Sequence, residues 1–225
     1  MCGRFTNQYT WRELKELYDL TTRYLNSNFE PRYNIAPTQN AFVVRETDGK
    51  RELAELRWGL LPHWCKSPAD GARMINARCE TVAESRAYRA AFQARPCLVV
   101  ADGFYEWKKT ADGKQPYFIR RKAGKPFAFA GLWEPKIIAD RDTFTILTCP
   151  PNSLCAEVHD RMPLILAPED WTKWLSSPQE RLKLLKPFAA NDMEMWPVTK
   201  AVGSPRNTGS GLVRPLESVE NGGRA

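Results

Sequence analysis

No apolar run in these 225 residues approaches the roughly 18 that a membrane span requires, and the polar start from Met1 to Thr10 lacks the apolar stretch of a secretory signal. Neither a transmembrane helix nor export is expected. The six cysteines, Cys2, Cys65, Cys79, Cys97, Cys149 and Cys155, are without the short paired spacings of a disulfide scaffold, so they read as free thiols in a reducing compartment. Cys149, Cys155 and His159 form the one grouping with metal-like spacing; no second close pair completes four ligands, and no metal or other cofactor is expected. There is no helix-turn-helix signature, zinc finger, Walker A loop, GxSxG elbow or dinucleotide glycine pattern, which removes the usual duplex readers and several enzyme classes. No internal repeat is present.

What is there begins with charge. The chain carries 33 basic and 26 acidic residues, a net charge of +7. That balance suits a polyanionic partner such as nucleic acid without selecting one. A hydrophobic content of 43% is ordinary for a soluble globular protein, and the length suffices for a full core.

Thr10 and Glu13 make a capping box, and Trp11, Leu14, Leu17, Tyr18 and Leu25 recur at helical spacing, which predicts an amphipathic helix over 11–25. The segment 28–40, with Pro31 and Pro37 among polar neighbours, reads as an extended loop. Residues 42–46 and 52–58 flank the turn pair Asp48-Gly49 and predict a hairpin. A second capping box, Thr81 to Glu84, predicts a helix to about Phe92. Beyond Pro96 the pattern turns to strands at 97–101, 104–108, 117–121, 127–133 and 143–149. Short helices follow at 152–157, 168–175 and 178–186, with further strands at 162–166 and 195–198. The fold expected is α+β: a single domain over 1–216 with a sheet-rich, barrel-like core flanked by short helices, and a disordered tail over 217–225.

The most informative residue is Cys2. Loss of Met1 would leave an α-amine and a thiol on one residue, a pair that traps aldehydes: the amine forms a Schiff base and the thiolate closes a five-membered thiazolidine ring. While Met1 remains, that nitrogen is an amide and inert. Unperturbed, the amine is only about a tenth free base at neutral pH and the thiol a few per cent thiolate, so such a site needs proton-shuttling neighbours. Glu106 lies in the aromatic run Gly103 to Trp107, where desolvation would raise its pKa toward that of a useful acid or base. His159 stands beside Asp160 and Arg161, a grouping suited to proton transfer or phosphate binding. Asn76 and Arg78 share a face if their segment is extended, an amide beside a phosphate clamp. Arg4, Arg78 and Arg161, interleaved with Trp64 and Pro37, supply the cations and stacking surfaces that hold single-stranded nucleic acid. Each cluster also has a structural explanation: an ordinary surface arginine, an Asn-capped turn, a buried salt bridge, a lone surface histidine.

The ordered set Cys2-Gly3-Arg4-Phe5, Arg32 to Pro37, Trp58-Gly59, Asn76-Ala77-Arg78, Glu80-Thr81, Gly103 to Trp107 and His159 to Pro163 strongly resembles the SOS-response-associated peptidase (SRAP) family over nearly the whole chain. The resemblance implies a covalent sensor of abasic sites in single-stranded DNA, with a sheet-rich core and a basic groove leading to the cysteine. It implies Cys2 as nucleophile, Asn76 positioning the intermediate, and Glu106 and His159 moving protons in thiazolidine formation and reversal, with abasic-site lyase chemistry as a further expectation. Arg4, Arg78 and Arg161 would hold phosphates, Pro37 and Trp64 would wedge or stack, and Asn34 would contact DNA. The segment Val202 to Asn207 departs from the family's pattern at Ser204 and Pro205. The implied partner is single-stranded DNA with abasic sites, handled by a monomer beside the replication machinery, in the cytoplasm or nucleoid of a bacterium or the nucleus of a eukaryote. An N-terminal-cysteine amidohydrolase or self-processing peptidase, and a non-catalytic single-strand binding module, are the alternatives.

Overall fold

A computed structural model describes residues 2–21, 29–136 and 140–216; the expected tail, 217–225, and the loss or retention of Met1 lie outside them. The strands, in chain order, are β1 (Phe5–Asn7), β2 (Arg32–Ile35), β3 (Asn40–Thr47), β4 (Lys50–Trp58), β5 (Asn76–Arg78), β6 (Pro96–Ala101) and β7 (Gly103–Thr110). They continue with β8 (Gly113–Arg121), β9 (Phe127–Glu134), β10 (Thr143–Cys149), β11 (Met162–Pro163), β12 (Ile165–Leu166) and β13 (Met193–Pro197). The α-helices are α1 (Trp11–Tyr18), α2 (Arg89–Ala94), α3 (Ser153–Ala156), α4 (Trp171–Ser176) and α5 (Pro178–Lys183).

Two sheets carry the fold. In the larger, β10, β4, β3, β6 and β9 follow one another, and β9 pairs back onto β10 to close a ring of strands. β10 is the hub: it runs parallel to β4 at one end and to β5 further along, and antiparallel to β9 and β11. All seven of its residues are buried, as a strand enclosed on every side requires. The smaller sheet has the order β13-β8-β7-β1-β2. One face, through Phe5, Phe104 and Ile119, joins the main core, and the other, through Tyr105 and Phe118, packs on Val198, Val202 and Leu212.

The predicted hairpin forms as the turn chemistry dictates. Asp48 (φ 51°) and Gly49 (φ 70°) make a two-residue loop, and eight residue pairs from Asn40–Arg57 to Thr47–Lys50 follow in register. Other elements differ from the sequence pattern. The first helix stops at Tyr18, because Asp19 turns left-handed (φ 51°) and it and Leu20 both donate to the Lys15 carbonyl; residues 22–25 of the expected helix are not described. The segment predicted as a loop, 28–40, contains β2, whose Ile35 and Arg32 pair with Phe5 and Asn7. No single helix spans 81–92. Separate turns about Thr81 and Ser85 precede α2, and Tyr88 is held elsewhere by its hydroxyl, 3.1 Å from the Asn76 carbonyl.

Arg181 fastens the helices to the ring. It is buried, and its guanidinium donates to the Trp174 and Gln93 carbonyls (both 3.0 Å), near the C-terminal ends of α4 and α2, where carbonyl dipoles favour a cation. Burial, with no carboxylate partner among the described residues, holds its pKa down, to about 10.

The loop after β4 depends on a glycine contact. Gly59 has φ +129°, and a Cβ there would lie 2.6 Å from the Gly71 carbonyl oxygen; a Cβ on Gly71 would meet the Gly59 oxygen at the same 2.6 Å. Two backbones touch where no side chain fits. Gly59→Ala should therefore destabilise by more than about 2 kcal/mol, whereas Gly49→Ala, at φ +70° in open space, should cost about 1 kcal/mol. Urea unfolding of the two variants beside the parent measures both; equal losses would contradict the contact.

Candidate functional site

Cys2 is completely buried three residues before β1, the strand that lies between β7 and β2. Its backbone carbonyl accepts a hydrogen bond from Asn76 Nδ2 at 2.9 Å. Its thiol pKa is pushed far up, first by burial and then by the Glu106 charge, with the Arg4 backbone N–H opposing. Cys2, Asn76, Glu106 and His159, from four distant segments, thus meet. The geometry of each follows from a local cause.

Asn76 opens β5, which is extended, so Asn76 and Arg78 lie on one face and the buried Ala77 on the other. Its position is fixed by Trp58 Nε1, which donates to the Ile75 carbonyl at 2.8 Å, by the Tyr88 hydroxyl, and by pairing with Ile146 of β10. Its Oδ1 is buried with no hydrogen-bond partner among the described residues. An acceptor held that way beside Cys2 is ready for a donor that is not part of the protein.

Glu106 lies on β7, 3% exposed, on the strand face that carries Phe104 rather than Tyr105. Burial raises its pKa, and His159 is among the charges that pull it back. Glu106 also raises the Cys155 thiol, pushed up to about 12 mainly by burial.

His159 follows α3, which Asn152 caps by accepting the Cys155 N–H at 2.9 Å. Its Nδ1 has two neighbours that make opposite demands: the Arg161 backbone N–H, 3.0 Å away, needs a lone pair, and Asp160 Oδ1, 2.8 Å away, needs a proton. A ring with no proton on Nδ1 takes the first, and a ring with one takes the second, so where the proton sits is coupled to the geometry of this turn.

Arg161 grips Glu80 with both terminal nitrogens, Nη2 to Oε2 at 2.9 Å, and Nη2 also donates to the Thr148 carbonyl at 2.7 Å. This pairing holds Glu80 down, to a pKa of about 2. Arg4 donates from Nη1 to the Gly3 carbonyl at 2.9 Å and from Nη2 to Gly203 at 3.3 Å, while Arg78 is exposed. Asn34 is buried, and its amide donates to the carbonyls of Val202, Ser204 and Asn207 at 3.0–3.2 Å. It therefore secures the C-terminal segment beside Arg4. Pro37 is partly buried in the turn before β3, and Trp64 is 38% exposed with the Arg86 guanidinium 5.6 Å from its ring.

Glu80, Thr148, Tyr88 and Asp102 organise the site although they were not among the residues predicted to form it. Thr148 acts through its carbonyl, which no sequence pattern marks. Asp102, in the β6–β7 turn, accepts from Thr6 Oγ1 at 2.7 Å and Gln8 Nε2 at 2.5 Å, and so ties the chain start to the strand carrying Glu106.

Residues 1–205 match the sequence pattern of the family described as SOS response associated peptidase (SRAP). The chain belongs to that family. Among its SRAP relatives, abasic site processing protein YoaM of Bacillus subtilis is 38% identical over 221 residues, covering 95% of this chain and 97% of that one. Abasic site processing protein YedK of Escherichia coli is 34% identical, covering 96% and 100%. Abasic site processing protein HMCES of Xenopus tropicalis is 33% identical, covering 81% and 65%. A crystal structure of a protein from Bacteroides thetaiotaomicron superposes with a TM-score of 0.84 at 26% identity, covering 96% of this chain and all of that one.

The Asp102 junction gives a pH test. Its pKa is raised from 3.8 to about 6, chiefly by burial, with the Thr6 and Gln8 hydrogen bonds opposing. Between these values the folded chain holds a proton that the unfolded chain has released, so this group's contribution falls as pH rises from about 4 to 6, with a slope of at most about 1.4 kcal/mol per pH unit. Urea unfolding at several pH values should show that Asp102→Asn gains on the parent across this window; a constant difference would refute the burial.

Proposed function

We propose that this SRAP protein processes abasic sites in single-stranded DNA through a covalent thiazolidine formed by Cys2 once Met1 is removed. The convergence of Cys2, Asn76, Glu106 and His159 is the observation that carries it. The names of its relatives support the substrate, and the net charge of +7 suits a polyanionic strand.

The chemistry balances without an added reagent. After hydrolysis of the Met1–Cys2 bond, the freed amine adds to the C1′ aldehyde of the ring-opened deoxyribose, water leaves, and an imine forms. The Cys2 sulfur then attacks C1′, and the thiol proton ends on the nitrogen; aldehyde and aminothiol give thiazolidine and one water. Glu106, with its raised pKa, takes protons from the amine and thiol and returns one to the departing hydroxyl. Burial and the Glu106 charge both oppose the thiolate, and when Glu106 takes the thiol proton it removes its own share of that opposition. His159 exchanges protons with Glu106, and Asn76 Oδ1 accepts from the nitrogen or a sugar hydroxyl. Arg4 and Arg78 hold phosphates, with Pro37 and Trp64 against the bases beside the gap and Arg161 at the inner wall.

The position of the Asn76 amide weighs against self-processing. It donates to the carbonyl of Cys2 itself, which belongs to the bond after Cys2, whereas removal of Met1 needs an oxyanion donor on the carbonyl before it.

Incubation with abasic single-stranded DNA should give a heat-stable adduct that Cys2→Ala abolishes and that intact DNA does not form. Glu106→Gln should slow it by about a hundredfold or more. Because burial raises the Glu106 pKa, the rate should climb with pH through that raised value, and Glu106→Gln should flatten the climb. An equally abundant adduct in Cys2→Ala would sink the mechanism, and turnover of amide substrates without adduct would favour the hydrolase. In a separate measurement on intact single strands, Arg4→Ala and Arg78→Ala should each reduce the slope of log affinity against log salt by about 0.7. An unchanged slope would remove that residue from the phosphate contacts.

A further inference from the structure

We infer that Glu80 is a positioning residue that sets, through Arg161, which nitrogen of His159 carries the proton. For the reaction rate this rests on the function proposed above; the tautomer itself does not.

The connection is continuous. The Thr148 carbonyl, on the hub strand β10, accepts from the Cys79 backbone N–H at 2.9 Å and from Arg161 Nη2 at 2.7 Å, so the backbone leading into Glu80 and the head of Arg161 are anchored to one atom. Glu80 then closes on both terminal nitrogens of the guanidinium. With its head held at two points, Arg161 has little freedom to move its main chain, and its N–H stays on His159 Nδ1 at 3.0 Å. A ring that receives a proton donor at Nδ1 keeps its own proton at Nε2.

Asp160 pulls the other way. Its carboxylate is 89% exposed and meets the same Nδ1 at 2.8 Å, a contact that needs a proton on Nδ1, as in the imidazolium or the neutral Nδ1–H tautomer. The two contacts exclude each other, so the fraction of neutral Nε2–H ring depends on how firmly Arg161 is held. Among the described residues, the charged and titratable groups around His159 include Glu106 from β7, Asp160 and Arg161 from its own turn, and Glu80 behind Arg161; the thiols of Cys2 and Cys155 interact in turn with Glu106. Among these, Glu80 and Asp160 bear on Nδ1 with opposite sign.

The test is nitrogen-15 NMR of the imidazole in the full-length protein, where His63, the other histidine, is assigned by His63→Gln. In the parent, neutral His159 should be the Nε2–H tautomer. Glu80→Ala should mix the tautomers, and Asp160→Asn should keep the Nε2–H form. Glu80→Gln, which keeps one acceptor oxygen for Arg161, should fall between parent and Glu80→Ala and serves as the readout if Glu80→Ala does not fold. Crosslinking to abasic DNA should slow by about tenfold to a hundredfold in Glu80→Ala and less in Glu80→Gln. A neutral parent ring protonated at Nδ1, or folded Glu80 variants with the parental tautomer, overturns the inference. A parent that forms no crosslink overturns the proposed chemistry instead, and the NMR result then decides the inference alone.

Discussion

The structure depends on the complete enclosure of β10. Phe144, Ile146 and Leu147 each gain roughly 1.5–3 kcal/mol from burial, which only a strand with neighbours on all sides can collect in full. Two of its three threonines are engaged, Thr143 Oγ1 accepting the Leu61 N–H at 3.0 Å and Thr148 offering its carbonyl to two donors, while the buried Thr145 Oγ1 has no hydrogen-bond partner among the described residues. Because β4 pairs with only the first part of β10, the place beside Ile146 to Thr148 is open for β5, which brings Asn76 and Arg78. β11 takes the opposite edge and draws in the turn with His159 and Arg161. One buried strand thus holds two of the site's walls, and a core defect there would be felt as a misplaced amide and imidazole.

The remaining walls come from the smaller sheet, where Cys2 leads into β1 and β7 carries Glu106. These strands pair over only Phe5–Phe104 and Thr6–Gly103, too little to set a register firmly. Asp102 supplies what the short ladder lacks, receiving the side chains of Thr6 and Gln8 across the turn. A carboxylate there opposes folding once ionised, yet it pins the thiol-bearing end to the acid-bearing strand.

The sequence disclosed long elements with regular patterns and clear turn chemistry. The Asp48-Gly49 hairpin and the strands from Pro96 to Cys149 were legible because alternation and glycine turns agree. β1 was not legible: it has three residues, all buried on account of partners distant in sequence. β2 was hidden between Pro31 and Pro37, whose polar surroundings suggest a loop until Phe5 is there to pair. The capping box at Thr81 was sound locally but lost to tertiary ties on Cys79 and Tyr88. For the site, Cys2, Asn76, Glu106 and His159 could be nominated because their chemistry is unusual for their surroundings. Glu80 stood in the motif set that carries the resemblance but was given no role, since an acid beside a turn is common and its importance comes from Arg161, 81 positions away. Asn34 was nominated through the resemblance alone, as a DNA contact, and its amide nitrogen lies against three carbonyls inside.

A chain terminus is ordinarily the least ordered part of a domain, and an aminothiol on a frayed end would react little better than free cysteine. What changes its chemistry is immobilisation. Phe5 is wedged edge-on against Trp58 (5.1 Å between centroids) and Phe129 (5.7 Å), and Asn76 holds the Cys2 carbonyl. In the proposed reaction these contacts would keep the freed amine, the sulfur and Glu106 within one geometry, so that ring closure avoids most of the entropy cost that a flexible terminus would incur. The same burial keeps the thiol protonated, and the proposal gives Glu106 the task of accepting its proton. Such a site would select an aldehyde that can reach the interior, as an extruded sugar without a base can and a stacked nucleotide cannot.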